Sequence, residues 1–235
     1  MSDPLVMSTC CPPGCGESVP LVRCAGRWLN RVSPGCGTAD AVAAFVRRRF
    51  RQAYGANPVL RVPVWLTLTT AQGSLLAAVG IRNAGRERLF LEDYLSAPVE
   101  QWLPGPPERG QVVEIAHLAG VEAGVSRYLF AALAVWLDAE GYRWVVCTGT
   151  GQLRNGFDRL GIGTRVLAPA DPARLPDGGR GWGRYYEHRP VVMAMSVPEG
   201  LAALARTGLL QRVRPVAGPG PAGYAGEGGR YGCTA

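Results

Sequence analysis

Residues 111–150 read "QVVEIAHLAGVEAGVSRYLFAALAVWLDAEGYRWVVCTGT". Val112, Val113, Ile115 and Leu118 mark a buried strand over 111–117. The loop "GVEAGVS" (120–126) carries glycine at both ends of its turn. "RYLFAALAVWLDAEG" then places Leu129, Leu133, Trp136 and Leu137 on one helical stripe. "RWVVCTGT" is a near-continuous apolar run, as in a strand covered on both faces. Strand, loop, helix and strand make one right-handed β-α-β unit with two parallel neighbours. Two residues do not suit a buried strand. Glu114 and His117 are polar, and carboxylates are rarely buried without a partner.

On the C-terminal side, "GQLRNGFDRLG" (151–161) reads as a second helix. Residues 163–189 read as a long polar loop rich in Gly and Pro, carrying "GWGRYYEHRP". "VVMAMSV" is a late strand, "PEGLAALART" a helix with Pro198 in its first turn, and "LLQRVRP" a last strand. On the N-terminal side, "TADAVAAFVRRRFRQAYGA" (38–56) opens with Thr38 or Asp40 as a cap. Val42, Phe45, Val46, Phe50 and Tyr54 follow at helical spacing, and Gly55 is its stop. "VLRVPVWLTLTT" and "SLLAAVGIRNA" read as two antiparallel strands, the first near an edge or a bulge because of Pro63. "LFLEDYLSAPVEQWL" reads as one short helix, or two broken by Pro98. The order predicts an α+β fold with a central mixed, mostly antiparallel sheet flanked by helices.

The chain has 235 residues, 47% of them hydrophobic, enough for one core with decorations. Residues 1–36, rich in Cys, Pro and Gly, read as a loosely ordered extension. Residues 216–235 read as a disordered Gly-rich tail, leaving 37–215 as the domain. Seven cysteines, five of them before residue 37, show no paired C-x-x-C spacing, so no metal site is expected. "MSDPLVMSTCCPPG" lacks the basic and apolar regions of a signal peptide. With no apolar run of spanning length, a reduced cytoplasmic protein is expected. The formal net charge of +7 suits an acidic partner, such as a phosphate-bearing cofactor or an acidic carrier protein. Basic and aromatic residues are not interleaved as in nucleic-acid-binding motifs, so nucleic acid is not an expected partner.

Four strings resemble the thermostable hemolysin family: "RLFLEDYLSAPVE", "VEIAHLAG", "WVVCTGTGQLRNGFDRLG" and "WGRYYEHRPVV". They run in the family's order through about residues 45–195. That family is similar to the acetyltransferase (GNAT) superfamily and, within it, to the acyl-homoserine-lactone synthases. The resemblance implies a GNAT-like three-layer fold and transfer of an acyl or aminoacyl group from a pantetheine thioester, acyl-CoA or an acyl or peptidyl carrier protein, to a small amine or amino acid. A place in specialised metabolite biosynthesis fits it. A membrane-active lytic protein and a non-catalytic binding module on the same fold are the alternatives. The family pattern around the strand is close to Glu-Val-Gly-Asn-Leu-Ala, and here Ala116 and His117 replace its Gly and Asn. The synthases show Glu-x-x-Arg in a similar strand.

Aminolysis of a thioester needs a base and donors for the developing oxyanion. The resemblance makes Glu114 and His117 the catalytic candidates. Residues three apart on a regular strand face opposite sides, so the two converge only through a β-bulge. The donor is expected where the strands 111–117 and 143–149 splay. Leu118, Ala119, Gly120, Gly124, Val125, Ser126, Arg127 and Asn155 would surround it, the helix N-terminus facing phosphate. Arg82, Glu92, Asp93, Thr148, Arg154, Trp182, Tyr185 and Tyr186 are the substrate-binding candidates. Glu92 or Asp93 would bind a cationic acceptor or pair with Arg82 or Arg86, and the three aromatics would line an acyl or acceptor pocket. Cys147 reads as core.

Overall fold

The computed structural model describes residues 18–121 and 124–216. One nine-stranded sheet organises them. Its strands are β1 (Ser18–Cys24), β2 (Arg27–Val32), β3 (Val64–Thr70), β4 (Leu75–Asn83), β5 (Val112–Gly120), β6 (Trp144–Gly149), β7 (Arg165–Pro169), β8 (Val191–Ser196) and β9 (Val213–Pro215). Their spatial order is β7-β8-β6-β5-β4-β3-β2-β1-β9. Every neighbouring pair is antiparallel except β5 and β6, which run parallel. That exception is the β-α-β unit, because a parallel pair needs a crossover and α2 (Val125–Ala139) supplies it.

Helices cover both faces. α2 and α4 (Val197–Arg206) pack on one face, burying Leu129, Leu133, Leu137 and Leu204 against Val113, Val145 and Cys147. α1 (Gly37–Tyr54) covers the other face with Val42, Phe45, Val46 and Phe50. It ends where Gly55 takes φ 64° and returns its N–H to Arg51 O at 2.9 Å. Its N-cap is Cys36, so Thr38 and Asp40, the expected caps, lie inside the first turn. Beside α1, short 3-10 turns at Phe90–Tyr94 and Val99–Trp102 cover Val112 and Val146. They occupy the stretch expected to hold one or two helices. α3 (Gly151–Asp158) is short and buries Phe157. No helix among the described residues is long and apolar enough to cross a membrane.

Three expectations are corrected. The Cys/Pro/Gly-rich segment before residue 37 contributes β1 and β2, a hairpin in register with β3 from Arg27↔Thr70 to Val32↔Trp65. Its Cys24 and Leu29 are core residues, so alternation there was hidden by the surrounding Pro and Gly. β3 is consequently an interior strand, and Pro63 stands just before it, where a missing N–H costs no ladder bond. The loop 163–189 contains β7, an edge strand whose Val166 is exposed and which therefore lacked an apolar signature. Residues 1–17 and 217–235, with all but Val216 of the expected tail and four of the seven cysteines, lie outside the described residues.

Candidate active site

The parallel pairing of β5 and β6 runs from Val112↔Trp144 to Ile115↔Cys147 and stops. Beyond it β6 stays with β8, through Thr148↔Val192 and Gly149↔Val191. β5 stays with β4, but its register shifts: Gly80 faces Ala116 and Ala78 faces Ala119. One β4 residue thus opposes two on β5, His117 and Leu118. That is a β-bulge, and His117 adopts φ 53° within it. A bulge sharpens the local twist and turns the strand aside, so the seam between β5 and β6 opens at residue 116.

The bulge also redirects side chains. Val113 and Ile115 face α2, and strict alternation would send His117 the same way. With one residue inserted, His117 shares the α1 face with Glu114. Its ring stacks on Trp182 at 5.8 Å and 14°, and meets the edge of Phe50 at 6.0 Å. The Asn of the family pattern at this position is physically apt, since Asn and His tolerate left-handed backbone better than most residues.

Glu114 is 1% exposed and its two oxygens take three donors. Arg82 Nη1 donates to Oε2 at 3.0 Å, the Phe90 amide to Oε2 at 2.9 Å, and the Leu91 amide to Oε1 at 3.0 Å. Burial pushes its carboxyl up, opposed by the Arg82 charge and the two amides. Arg82 also donates to Glu87 Oε2 at 2.9 Å and to Arg61 O. Glu114 thereby joins β5, β4 and the Phe90–Tyr94 turn. His117 differs in kind. Its Nδ1 is buried without a partner, and burial, with Arg82 nearby, pushes its pKa down to about 4. The imidazole is neutral at physiological pH. Cys147 is core, its thiol pushed up to about 12 by burial and by Glu114.

A cavity of about 430 Å³ passes through the seam. Glu114, Ala116, His117, Leu118, Ala119 and Gly120 line it from β5, and Thr148 and Gly149 from β6. Gly124 (φ 93°) and Ser126 face it from the start of α2. On the α1 face its wall is aromatic: Phe50, Tyr54, Phe90, Tyr94, Trp182 and Tyr185. A second, apolar cavity of about 80 Å³ lies between α2, α4 and β6, walled by Leu133, Leu137, Val145 and Leu204. The two share Ile115, His117, Leu118, Phe130, Thr148 and Leu153, so they meet at the seam.

The aromatic wall depends on the segment 179–189. Asn57 N donates to Gly181 O at 2.6 Å and Arg184 N to Tyr54 O at 2.8 Å, fastening the segment across the end of α1. Trp182 and Tyr185 then enter the cavity. Tyr186 stands behind them and shares a 2.7 Å hydroxyl contact with Tyr94.

Several expected site residues lie elsewhere. Glu92 is buried away from the cavity, taking the Leu89 and Val99 amides and two bonds from Arg109. Burial would raise its pKa, but Arg109 and the amides outweigh that and hold it low. Asp93 pairs with Arg88. Each is committed to an arginine, Glu92 to Arg109 and Asp93 to Arg88, and neither lines the cavity. Arg82 lies behind Glu114 and does not line the cavity. Val125 is core, and exposed Arg127 lies over the Tyr128 ring at 4.8 Å. Arg154 and Asn155 face solvent. Gln152 and Gly156 of α3, and Arg159 just after it, line the cavity instead. Arg49, Phe50, Phe90 and Tyr94 were not anticipated; the first two lie on a helix whose stripe read only as core. Among the described residues no group of three or more His, Cys, Asp or Glu is placed to hold a metal.

The thermostable hemolysin family model matches residues 33–201. No curated protein matches the chain in sequence. Solved structures share its GNAT-like fold. TofI in an apo form is 17% identical, over 74% of this chain and 94% of its own, with a TM-score of 0.51. BjaI, a CoA-dependent acyl-homoserine lactone synthase with SAM and isopentyl-CoA, is 14% identical over 78% and 90%, with a TM-score of 0.51. FeeM, an N-acyl amino acid synthase from uncultured soil microbes, is 18% identical over 75% and 98%, with a TM-score of 0.50.

Proposed function

The chain belongs to the thermostable hemolysin family, and from that premise we propose that it is an N-acyltransferase. It moves an acyl group from a pantetheine thioester to a small amine or amino acid. The observation that carries this reading is the open β5–β6 seam, with a cavity through it and, beside it, a neutral imidazole whose buried Nδ1 has no partner. Past Ile115, β5 has no ladder partner on its β6 side, so its backbone amides and carbonyls can bind an extended arm. The α2 N-terminus with Ser126, and the guanidinium groups of Arg49 and Arg159, suit the donor's phosphate. Coenzyme A and an acidic acyl carrier protein both present that chemistry. The small apolar cavity suits the acyl chain, and the aromatic wall suits the acceptor.

In the reaction the acceptor nitrogen attacks the thioester carbon, and the new C–N bond makes that nitrogen acidic. His117 takes its proton and returns it to the thiolate as the C–S bond breaks, giving an amide and a free thiol. Glu114 acts through others. Its oxygens hold Arg82 and the Phe90–Tyr94 turn, which carries Phe90 and Tyr94 into the acceptor wall.

The test is incubation with short-, medium- and long-chain acyl-CoA and acyl-carrier-protein donors against a panel of amines and amino acids, read by mass spectrometry. An amide product with thiol release is expected. No donor consumed by the protein, together with leakage of dye from liposomes, would replace this reading with a lytic one.

A further inference from the structure

We propose that the Thr148 hydroxyl is the oxyanion donor of this site, a role that rests on the acyl-transfer reading above. Two atoms at the seam are buried with no hydrogen-bond partner: His117 Nδ1 on β5 and Thr148 Oγ1 on β6. Unpartnered buried polar atoms are uncommon in folded proteins and call for an explanation. These two flank the same opening. Cys147 is the last β6 residue paired with β5, at Ile115, and Thr148 follows it directly. His117 lies two residues past Ile115, turned by the bulge. Alternation places Thr148 on the face of Val146, which is the face of Glu114 and His117.

Both residues also line both cavities. A donor stretched through the seam changes character at that junction, from a polar arm to an apolar chain. The group at the change is the thioester, so its carbonyl meets the two orphaned atoms. Their chemistries are complementary. A neutral imidazole nitrogen can receive a proton from the attacking amine. A threonine hydroxyl can donate to the oxygen as the carbonyl becomes tetrahedral and negatively charged. The Thr148 carbonyl is held by Tyr185 Oη at 3.4 Å, and its strand is clamped by β8, so the hydroxyl is carried on a fixed backbone. As the thiolate departs, the oxygen returns to an amide carbonyl and its lone pair re-forms the double bond.

The test compares Thr148→Val with Thr148→Ser under steady-state turnover of whichever acyl-CoA or acyl-carrier donor the wild type consumes. Valine keeps the shape and removes the donor; serine keeps the donor. Valine is expected to lower kcat on the order of 10²-fold, with KM within about twofold. Serine is expected to stay within severalfold of wild type. The valine variant should melt at or above the wild-type temperature, because the hydroxyl it loses has no partner in the fold. Equal kcat in the valine variant and wild type overturns the assignment while acyl transfer stands. So does a loss of kcat shared equally by serine, or a marked fall in melting temperature with valine, since either marks a structural role. A wild type that consumes no donor overturns the acyl-transfer reading itself, and this one with it.

Discussion

Glu114→Gln tests the most heavily bonded side chain of the site. The carboxylate accepts three N–H donors, two on Oε2 and one on Oε1. Glutamine matches its shape but offers one acceptor oxygen. If the amide oxygen takes the Oε2 position, the NH2 meets the Leu91 N–H donor to donor. If it takes the other, the NH2 meets both Arg82 and the Phe90 N–H. In either orientation a buried amide is orphaned, at about 1–3 kcal/mol. Arg82, 8% exposed, also loses its charged partner on that side. Breaking a buried pair from one end costs about 3–5 kcal/mol in all. Glu87, half open to solvent, still meets Arg82, so the lower part of that range is expected. At about 2–4 °C per kcal/mol for a chain of this size, the melting temperature falls by roughly 10 °C. Thermal unfolding followed by circular dichroism at neutral pH measures it. Hydrogen exchange should show the Phe90 and Leu91 amides losing protection before the strands do. Arg82→Met should cost less in the Glu114→Gln background than alone, since the pair is already broken. A variant that melts within about 2 °C of wild type, with both amides protected as before, refutes the reasoning.

Two further outcomes follow from the same geometry. His117 has a folded pKa of about 4 against an unfolded value near 6.5, so the unfolded chain binds more protons between those limits. Stability contributed by the neutral ring is present above pH 6.5 and is lost as pH falls towards 4, by about 3 kcal/mol in total. His117→Asn, which tolerates the left-handed backbone, should flatten that part of the slope in denaturant titrations between pH 7 and pH 4.5; parallel slopes would show that His117 does not cause it. Gly183→Ala places a methyl within 2.8 Å of Gly55 C and closer still to Tyr54 O, at φ 51°. It should cost about 1–3 kcal/mol and loosen Trp182 and Tyr185, visible as a weakened near-ultraviolet dichroism band; an unchanged band and melting curve would show that the segment yields there freely.

The β-α-β unit was legible because its signals are local: alternation or continuity in 111–117 and 143–149, and a 3.6-residue stripe between them. The period-2 argument also identified what had to happen for Glu114 and His117 to meet, a bulge, without showing that it forms. No local feature of "EIAHLAG" announces one, since its cause lies in the β4 register. Glu92 and Asp93 were misplaced too. For Glu92 the partner is far along the chain, since Arg109 is 17 residues away; for Asp93 it is Arg88, only five residues back. Arg154 and Asn155 lie on the exposed side of α3, a distinction that helical spacing alone does not make. Composition drew attention to Trp182 and Tyr185, yet only the close backbone passage of Gly181 by Asn57 and of Gly183 by the end of α1 shows why they line the cavity. The paired orphans at His117 and Thr148 had no sequence signal, because an unmet hydrogen bond is a property of three-dimensional surroundings.

The β1–β2 hairpin and β9 fall outside the span shared with the family, residues 33–201. Yet the hairpin caps the outer side of β3, six register pairs long. A chain trimmed to the shared span would leave that row of amides and carbonyls open, next to Trp65, Leu66 and Leu68. Such a bare margin is a template on which a second molecule can add its own strand. The segment that looks most dispensable in the family frame is therefore the one guarding against aggregation.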